Sequence, residues 1–211
     1  MERILTSRSV ALMLGVVLIV AGCGGKAAST PKAAIENMVN ATKDGDADAF
    51  VACWDANAEQ KKMIRAMGEM LASVKALDKA AEAKFGKDVW AKAKTPGDGK
   101  PGMDTPFADV DLNKLTVKEE GDKATVTMEG ESKPLSLVKK DGVWKIVVED
   151  MPEGPQLDMA VKMMKTMADA HKTALDDLGN AKSAEDVMKK LGEEMMKAML
   201  GNMPMPQPPT P

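Results

Sequence analysis

The chain has 211 residues, of which 44% are hydrophobic and 29% charged, and its formal net charge is −3. These values exclude a chain that is disordered throughout and a membrane protein with many spans. They give no electrostatic footprint for nucleic acid, so we expect no nucleic-acid partner. Only 3% of the residues are aromatic and none is Tyr, whereas there are 19 Met.

The first 22 residues have the features of an export signal. An apolar run over 10–20 follows two arginines and is shorter than a helix needs to span the hydrocarbon core of a bilayer. It ends in Val20-Ala21-Gly22-Cys23, which resembles the lipobox of bacterial lipoproteins, where the cysteine is acylated before cleavage. The resemblance implies that Cys23 is the lipidation site, that 1–22 is removed, and that 23–30 is a spacer. An ordinary secretory signal with a coincidental cysteine is the alternative.

Lipidation predicts a location in the cell envelope, because several acyl chains together hold a protein durably on a membrane. Gly24 follows the cysteine, and by resemblance to the sorting rules of diderm bacteria this implies the periplasmic side of the outer membrane. In a source with one membrane, it implies the outer face of the cell membrane. With Cys23 acylated, Cys53 has no partner, so we expect a small buried residue beside Trp54. A reactive thiol is the alternative, but no His or Arg lies near it in sequence to lower its pKa.

Helical patterns begin after the spacer. A first helix is predicted from its cap, Thr30, to Gly45, and Asp46 caps a second. The second helix has apolar residues at spacings i, i+3, i+4 and i+7, namely Ala47, Phe50, Val51 and Trp54. A long third helix is predicted over 58–85, with one more turn that carries Trp90.

The pattern then changes from helical to alternating. Residues 95–105 are rich in Pro and Gly and predict a loop. Alternating apolar residues predict four strands, over 115–118, 125–128, 135–137 and 144–148. Asp141-Gly142 is a hairpin signal between the last two. The expectation is a four-stranded antiparallel meander, with no strand between the early helices.

After Pro152 the chain has no aromatic residue. Apolar residues from Leu157 to Leu178 repeat at steps of four and three, and Ser183 with Asp186 resembles a capping box. The segment 155–200 therefore predicts a Met-rich helical hairpin. A hairpin alone buries too little surface to be stable, so we expect it to pack on the third helix or on the outer sheet face. Residues 201–211 are Pro-rich and predict a disordered tail.

The helices followed by a meander ending in KKDGVWKIVVED resemble the NTF2-like (cystatin-like) α+β cone. The opening AAIENMVNATKDGDADAFVACW is similar to the same family, and the resemblance covers about residues 31–150. It implies an α+β fold in which N-terminal helices lie on a four-stranded antiparallel meander, followed here by the C-terminal hairpin. It says little about function, because such folds host unrelated activities.

Enzymes of this superfamily use acid-base groups in the cone, typically Tyr, Asp or His. Here Tyr is absent, and His171 lies outside the resembling segment. Asp55 and Glu59 are the ionisable residues expected to face inward, and neither has an identifiable partner for acid-base catalysis. We therefore expect no catalytic residue and no cofactor. Trp54 and Trp144 are expected on inward faces, where they would share one core or line a pocket.

The function predicted from these features is that of a lipid-anchored, non-enzymatic binding or scaffold protein of the cell envelope. Its expected partners are the membrane, through the lipid, and an envelope protein or a small apolar ligand. An enzyme that uses the cone cavity is one alternative.

A Met-rich copper-binding protein is the other alternative. More than half of the 19 Met follow residue 150, and thioethers are soft ligands for Cu(I), although Met also fills cores and adaptable surfaces. The acidic runs at 44–48 and 109–113 lack the Gly of a calcium loop, and His171 has no second ligand nearby. We therefore expect no metal ligands among the acidic residues and His.

Overall fold

The computed structural model describes residues 27–95, 110–128, 133–149 and 151–202. The predictions for the export signal, for Cys23 and for the loop after residue 95 fall outside these ranges. The predicted Pro-rich tail also falls outside them, except for residues 201 and 202, which are helical. Within the described ranges the chain forms six α-helices and a five-stranded sheet, so the α+β class is confirmed.

The first four helices begin at or next to the residues where the sequence predicts their starts. They are α1 (Pro31–Asp44), α2 (Ala47–Ala52), α3 (Ala58–Phe85) and α4 (Lys87–Lys94). The side chains of Thr30, Asp46 and Asn57 cap the first three by accepting backbone N–H groups of the first turn. These local signals explain why the helix starts could be read from the sequence.

Two glycines let the turn between α1 and α2 lie close against α3. Gly45 ends α1 with φ 69°, and a Cβ at this position would be 3.3 Å from the Cα of Ala72. A Cβ on Gly68 would be 3.1 Å from the Cα of Ala47. The C-terminal end of α1 therefore lies close against the middle of α3.

The sheet differs from the prediction by one strand. Its strands are β1 (Trp54–Asp55), β2 (Thr116–Glu120), β3 (Lys123–Thr127), β4 (Leu135–Lys140) and β5 (Val143–Val147). They lie in the order β1-β5-β4-β3-β2, with β1 parallel to β5 and the other neighbours antiparallel. The expectation of a four-stranded, wholly antiparallel sheet without a strand between the early helices is therefore wrong.

The extra strand also corrects the position of Trp54, which the periodicity had assigned to the second helix. α2 ends at Ala52, the carbonyl of Cys53 accepts a 2.9 Å hydrogen bond from the N–H of Ile146, and Trp54 pairs with Ile146 in the parallel register. The backbone after Ala52 therefore hydrogen-bonds to β5, and this strand pairing takes the place of a further turn of α2.

A first hydrophobic cluster lies between the inner face of the sheet and the first three helices. Its largest fully buried members are Ile35, Met38, Val39, Phe50, Val126, Leu137, Trp144 and Ile146. α3 contributes Ile64 and Leu71 from its N-terminal half. This cluster fixes α1 and α2 against β5.

A second cluster joins the C-terminal helices α5 (Pro155–Asp176) and α6 (Ala184–Asn202) to the other half of α3. Its buried members are Leu77, Ala81, Trp90, Ala170, Ala174, Leu178, Ala184, Val187 and Leu191. The prediction that the hairpin packs on the rest of the chain is confirmed, and of the two surfaces it uses the long helix.

The connection between α5 and α6 is fixed to the end of α3 by one ammonium group. Lys84 Nζ donates to the carbonyl oxygens of Leu178, Gly179 and Ala181 at 2.6, 3.0 and 2.8 Å. The predicted capping box is also present, because the Asp186 N–H donates to Ser183 Oγ and Asp186 Oδ2 accepts from the Ser183 N–H.

Candidate functional site

A groove of about 240 Å³ lies between α1, α2 and the edge of β5. Its polar lining comes from Asn37, Asn40, Asp44, Asp46 and Lys145. The first three lie on one side of α1, because spacings of three and seven residues bring side chains to the same helix face. Its apolar lining includes alanines of α1 and α2 together with Cys53 and Trp144.

The segment that precedes α1 forms one wall of the groove. Ala28 is buried, and its carbonyl accepts a 2.9 Å hydrogen bond from the N–H of Trp144. Ala27 and Ala28 both line the groove, beside β5. The chain is therefore fixed to the sheet before the first helix begins.

Three ionisable groups of the groove already have structural roles. Asp46 Oδ1 caps α2 by accepting from the Ala49 N–H at 2.9 Å, and Cys53 Sγ donates to the Ala49 carbonyl at 3.2 Å. Lys145 Nζ donates to the carbonyl of Ala52 at the end of α2. Asp44, which completes the acidic side of the rim, is exposed. The groove can therefore accept hydrogen bonds from a cationic or polar group at its rim.

Burial sets the chemistry of the groove's thiol. It raises the pKa of Cys53 to about 11, although the nearby ammonium of Lys145 lowers it in part. At neutral pH the sulfur is a protonated thiol and a poor nucleophile. The prediction of a small buried residue at this position is confirmed.

Only one of the two predicted tryptophans lines the groove. Trp144 is 1% exposed, and the Lys139 ammonium lies 5.8 Å from the centroid of its ring. Trp54 is half-buried, packs against the same cluster, and has its ring centroid 5.8 Å from that of Phe50. It is not part of the groove's lining. Its indole Nε1 is buried without a hydrogen-bond acceptor among the described residues.

The expectation that Asp55 and Glu59 face inward is wrong. Asp55 pairs with Val147 in the sheet, and its carboxylate lies 2.7 Å from Lys140 Nζ at the surface. Glu59 lies in the first turn of α3, where it forms a 2.8 Å ion pair with Lys62. Strand alternation explains the first result, because neighbours of an inward Trp54 point to the opposite face.

His171, for which the sequence offers no second metal ligand, lies apart from the groove. His171 is 4% exposed, and its Nδ1 lies 2.8 Å from the Met167 carbonyl within α5. Across the described ranges, no group of three or more His, Cys, Asp or Glu side chains could hold a metal ion. The methionines differ in burial, since Met38 is a core residue, whereas Met159 and Met163 are 64% and 49% exposed.

The sequence reasoning missed the polar rim of the groove. The available signal was the row Asn37, Asn40 and Asp44 on one side of a helix whose other side is apolar. Such a row is also what any solvated helix face contains, so it indicated a groove only once β5 and Ala28 were placed beside it.

No model of a known protein family matches the chain, and neither curated proteins nor solved structures give a match. In the part of the chain that the structure describes, no helix combines the length and the apolar composition that crossing a bilayer requires. What the site does must therefore be inferred from its own residues.

Proposed function

We propose that the protein is a lipid-anchored, non-enzymatic binding or scaffold protein of the cell envelope. In a source with two membranes it would be held at the periplasmic side of the outer membrane, and otherwise at the outer face of the cell membrane. The anchor would be the acylated Cys23 of the lipobox-like sequence. The short interval between Cys23 and the buried Ala28 supports this, because the folded part then begins directly beyond the anchor.

We also propose that the part of the chain before α5 is an NTF2-like cone. The element order supports this: two helices, a short strand and a long helix precede four consecutive antiparallel strands. The inner face of the sheet packs against α1, as the helices of such a cone would require. The fold itself does not specify an activity.

The observation that carries the non-enzymatic part of the proposal is the structural use of the groove's ionisable groups. Acid-base catalysis needs a pair of groups whose pKa values are tuned and whose protons are free to move. In the groove the Asp46 carboxylate caps a helix, the Lys145 ammonium holds the end of α2, and the Cys53 thiol is protonated at neutral pH. Groups that hold the fold in this way support a binding surface and not a catalytic site.

The anchor is tested by metabolic labelling of the full chain with a palmitate analogue in a bacterial host. Wild type is expected to be labelled and recovered in the membrane fraction, whereas Cys23→Ser is expected to lose the label and keep its leader. Cys53→Ser is the matched control and should be labelled like wild type. Labelling that survives Cys23→Ser, or its absence from wild type, would exclude the lipoprotein proposal.

A second candidate function is copper binding by the exposed methionines of α5. Met159 and Met163 are one helical turn apart, so their thioethers can approach the same point on the surface. Titration with Cu(I) against a competing chelator tests this. If the sites exist, the double variant Met159→Leu/Met163→Leu loses affinity, whereas Met63→Leu, at a buried position of α3, does not. Equal affinities of wild type and the double variant would exclude it.

A further inference from the structure

We infer that the groove face, formed by Ala27, α1, α2 and the edge of β5, lies against the bilayer and rests on its lipid headgroups. The inference rests on the proposed acylation of Cys23. It goes further, because it assigns an orientation to the folded part and a partner to the groove.

The first step is the length of the tether. Three residues, and therefore four Cα–Cα steps, separate Cys23 from Ala27, which is the first described residue and part of the groove's wall. A fully extended chain of that length spans at most about 14 Å. The next residue, Ala28, is buried and hydrogen-bonded to Trp144, so the chain cannot peel away from β5 to lengthen the tether without breaking that contact.

The second step compares this tether with the size of the folded part. α3 has 28 residues and is therefore about 42 Å long. The close approach of Gly45 to Ala72 places the groove end of α1 beside the middle of α3. From there α3 continues to Phe85 over about 20 Å, and that distal half carries α4 and the start of α6. A tether of about 14 Å therefore keeps the wall of the groove close to the bilayer, whereas the distal end reaches the bilayer only if α3 lies along its surface.

The third step is the chemistry of the face. In the described part of the chain the exposed large hydrophobic residues lie on β2, α4, α5 and α6, with none on α1, α2 or β5. The face would therefore rest on headgroups and not insert into the hydrocarbon. Its exposed carboxylates, Asp44 and Asp46, are repelled by anionic lipids and attracted by the ammonium groups of zwitterionic ones.

The experiment uses the full-length acylated protein in vesicles of zwitterionic lipid that carry a quencher on the headgroup. In a Cys53→Ala background, Asn40→Cys places an environment-sensitive fluorophore on the rim of the groove. Lys189→Cys places the same fluorophore on the exposed side of α6 as the matched control. Far-ultraviolet circular dichroism checks that both labelled variants keep the wild-type fold.

The expected result is loss of emission at position 40 and unchanged emission at position 189. In vesicles with anionic lipid at low salt, the loss at position 40 should be smaller, and salt or Asp44→Asn should restore it. Equal quenching at both positions, or stronger quenching at position 189, would overturn the orientation while acylation stands. A protein that is not acylated, or that binds vesicles equally well as Cys23→Ser, would overturn the proposed function instead.

Discussion

Replacing Trp54 and Trp144 by phenylalanine, one at a time, should have different consequences for stability. The two rings belong to the same hydrophobic region, but their surroundings differ. Trp144 is 1% exposed on β5, which has a neighbouring strand on each side, whereas Trp54 is half-buried on the edge strand β1 and its Nε1–H has no acceptor among the described residues.

The magnitudes follow from these surroundings. Trp144→Phe removes fully buried ring atoms and leaves a cavity, which should lower the free energy of unfolding by about 1–2 kcal/mol. Trp144→Ala should lower it by about 3–5 kcal/mol. Trp54→Phe removes less buried area, and it also removes a buried donor whose lost hydration costs about 1–3 kcal/mol. The two effects offset each other, so Trp54→Phe should be neutral or stabilise the fold by up to about 1 kcal/mol.

Urea unfolding followed by far-ultraviolet circular dichroism measures these differences without depending on tryptophan emission. A form that lacks residues 1–23 avoids any contribution from lipid. If Trp54→Phe costs as much as Trp144→Phe, the Trp54 indole N–H has an acceptor in solution and the reasoning from its orphaned donor fails. A cost of Trp144→Ala below about 1 kcal/mol would place that ring at the surface and refute the assigned core.

Three further predictions concern the second cluster and the thiol. A form that ends at residue 152 should bind a hydrophobic dye and unfold at lower urea, because it exposes Leu77 and Trp90; unchanged dye binding would contradict the assigned packing. Lys84→Met should lower the free energy of unfolding by about 1 kcal/mol, a value reduced for solvent exposure, whereas Lys87→Met should not change it. Because burial raises the pKa of Cys53 from 9.0 to about 11, its contribution to stability is complete below pH 9 and declines towards pH 11. Cys53→Ala should remove this part of the alkaline decline, and identical pH profiles would refute it.

The starts and ends of the helices were predictable because they are determined by residues close to them in the sequence. Asn57 and Gln60 exchange reciprocal hydrogen bonds at the start of α3, and Gly86 follows its last residue. Such signals involve residues within four positions of one another, so one sequence is enough to recognise them. The Asp141-Gly142 turn between β4 and β5 is of the same kind.

β1 was not predictable because its cause lies far away in the sequence. It has two residues, too few to show an alternating pattern, and its partner Ile146 follows it by more than 90 positions. Meanwhile Trp54 fits the i+7 position of the preceding helix, so the local pattern favoured the wrong element. The wall of the groove was missed for the same reason. Ala28 has no local signal of structure, and its role depends on a hydrogen bond to Trp144, which lies far away in the sequence.

The long helix α3 explains why the hairpin could not be placed from its own sequence. Leu71 belongs to the first cluster and Leu77 to the second, and only six positions of the same helix separate them. The apolar stripe of α3 is continuous, so the sequence does not show where one core ends and the next begins. The structure places the boundary just beyond Ala72, where the turn at Gly45 meets α3. Because one continuous helix carries both cores, each core is built on residues of α3 that lie only one or two helical turns from the other core.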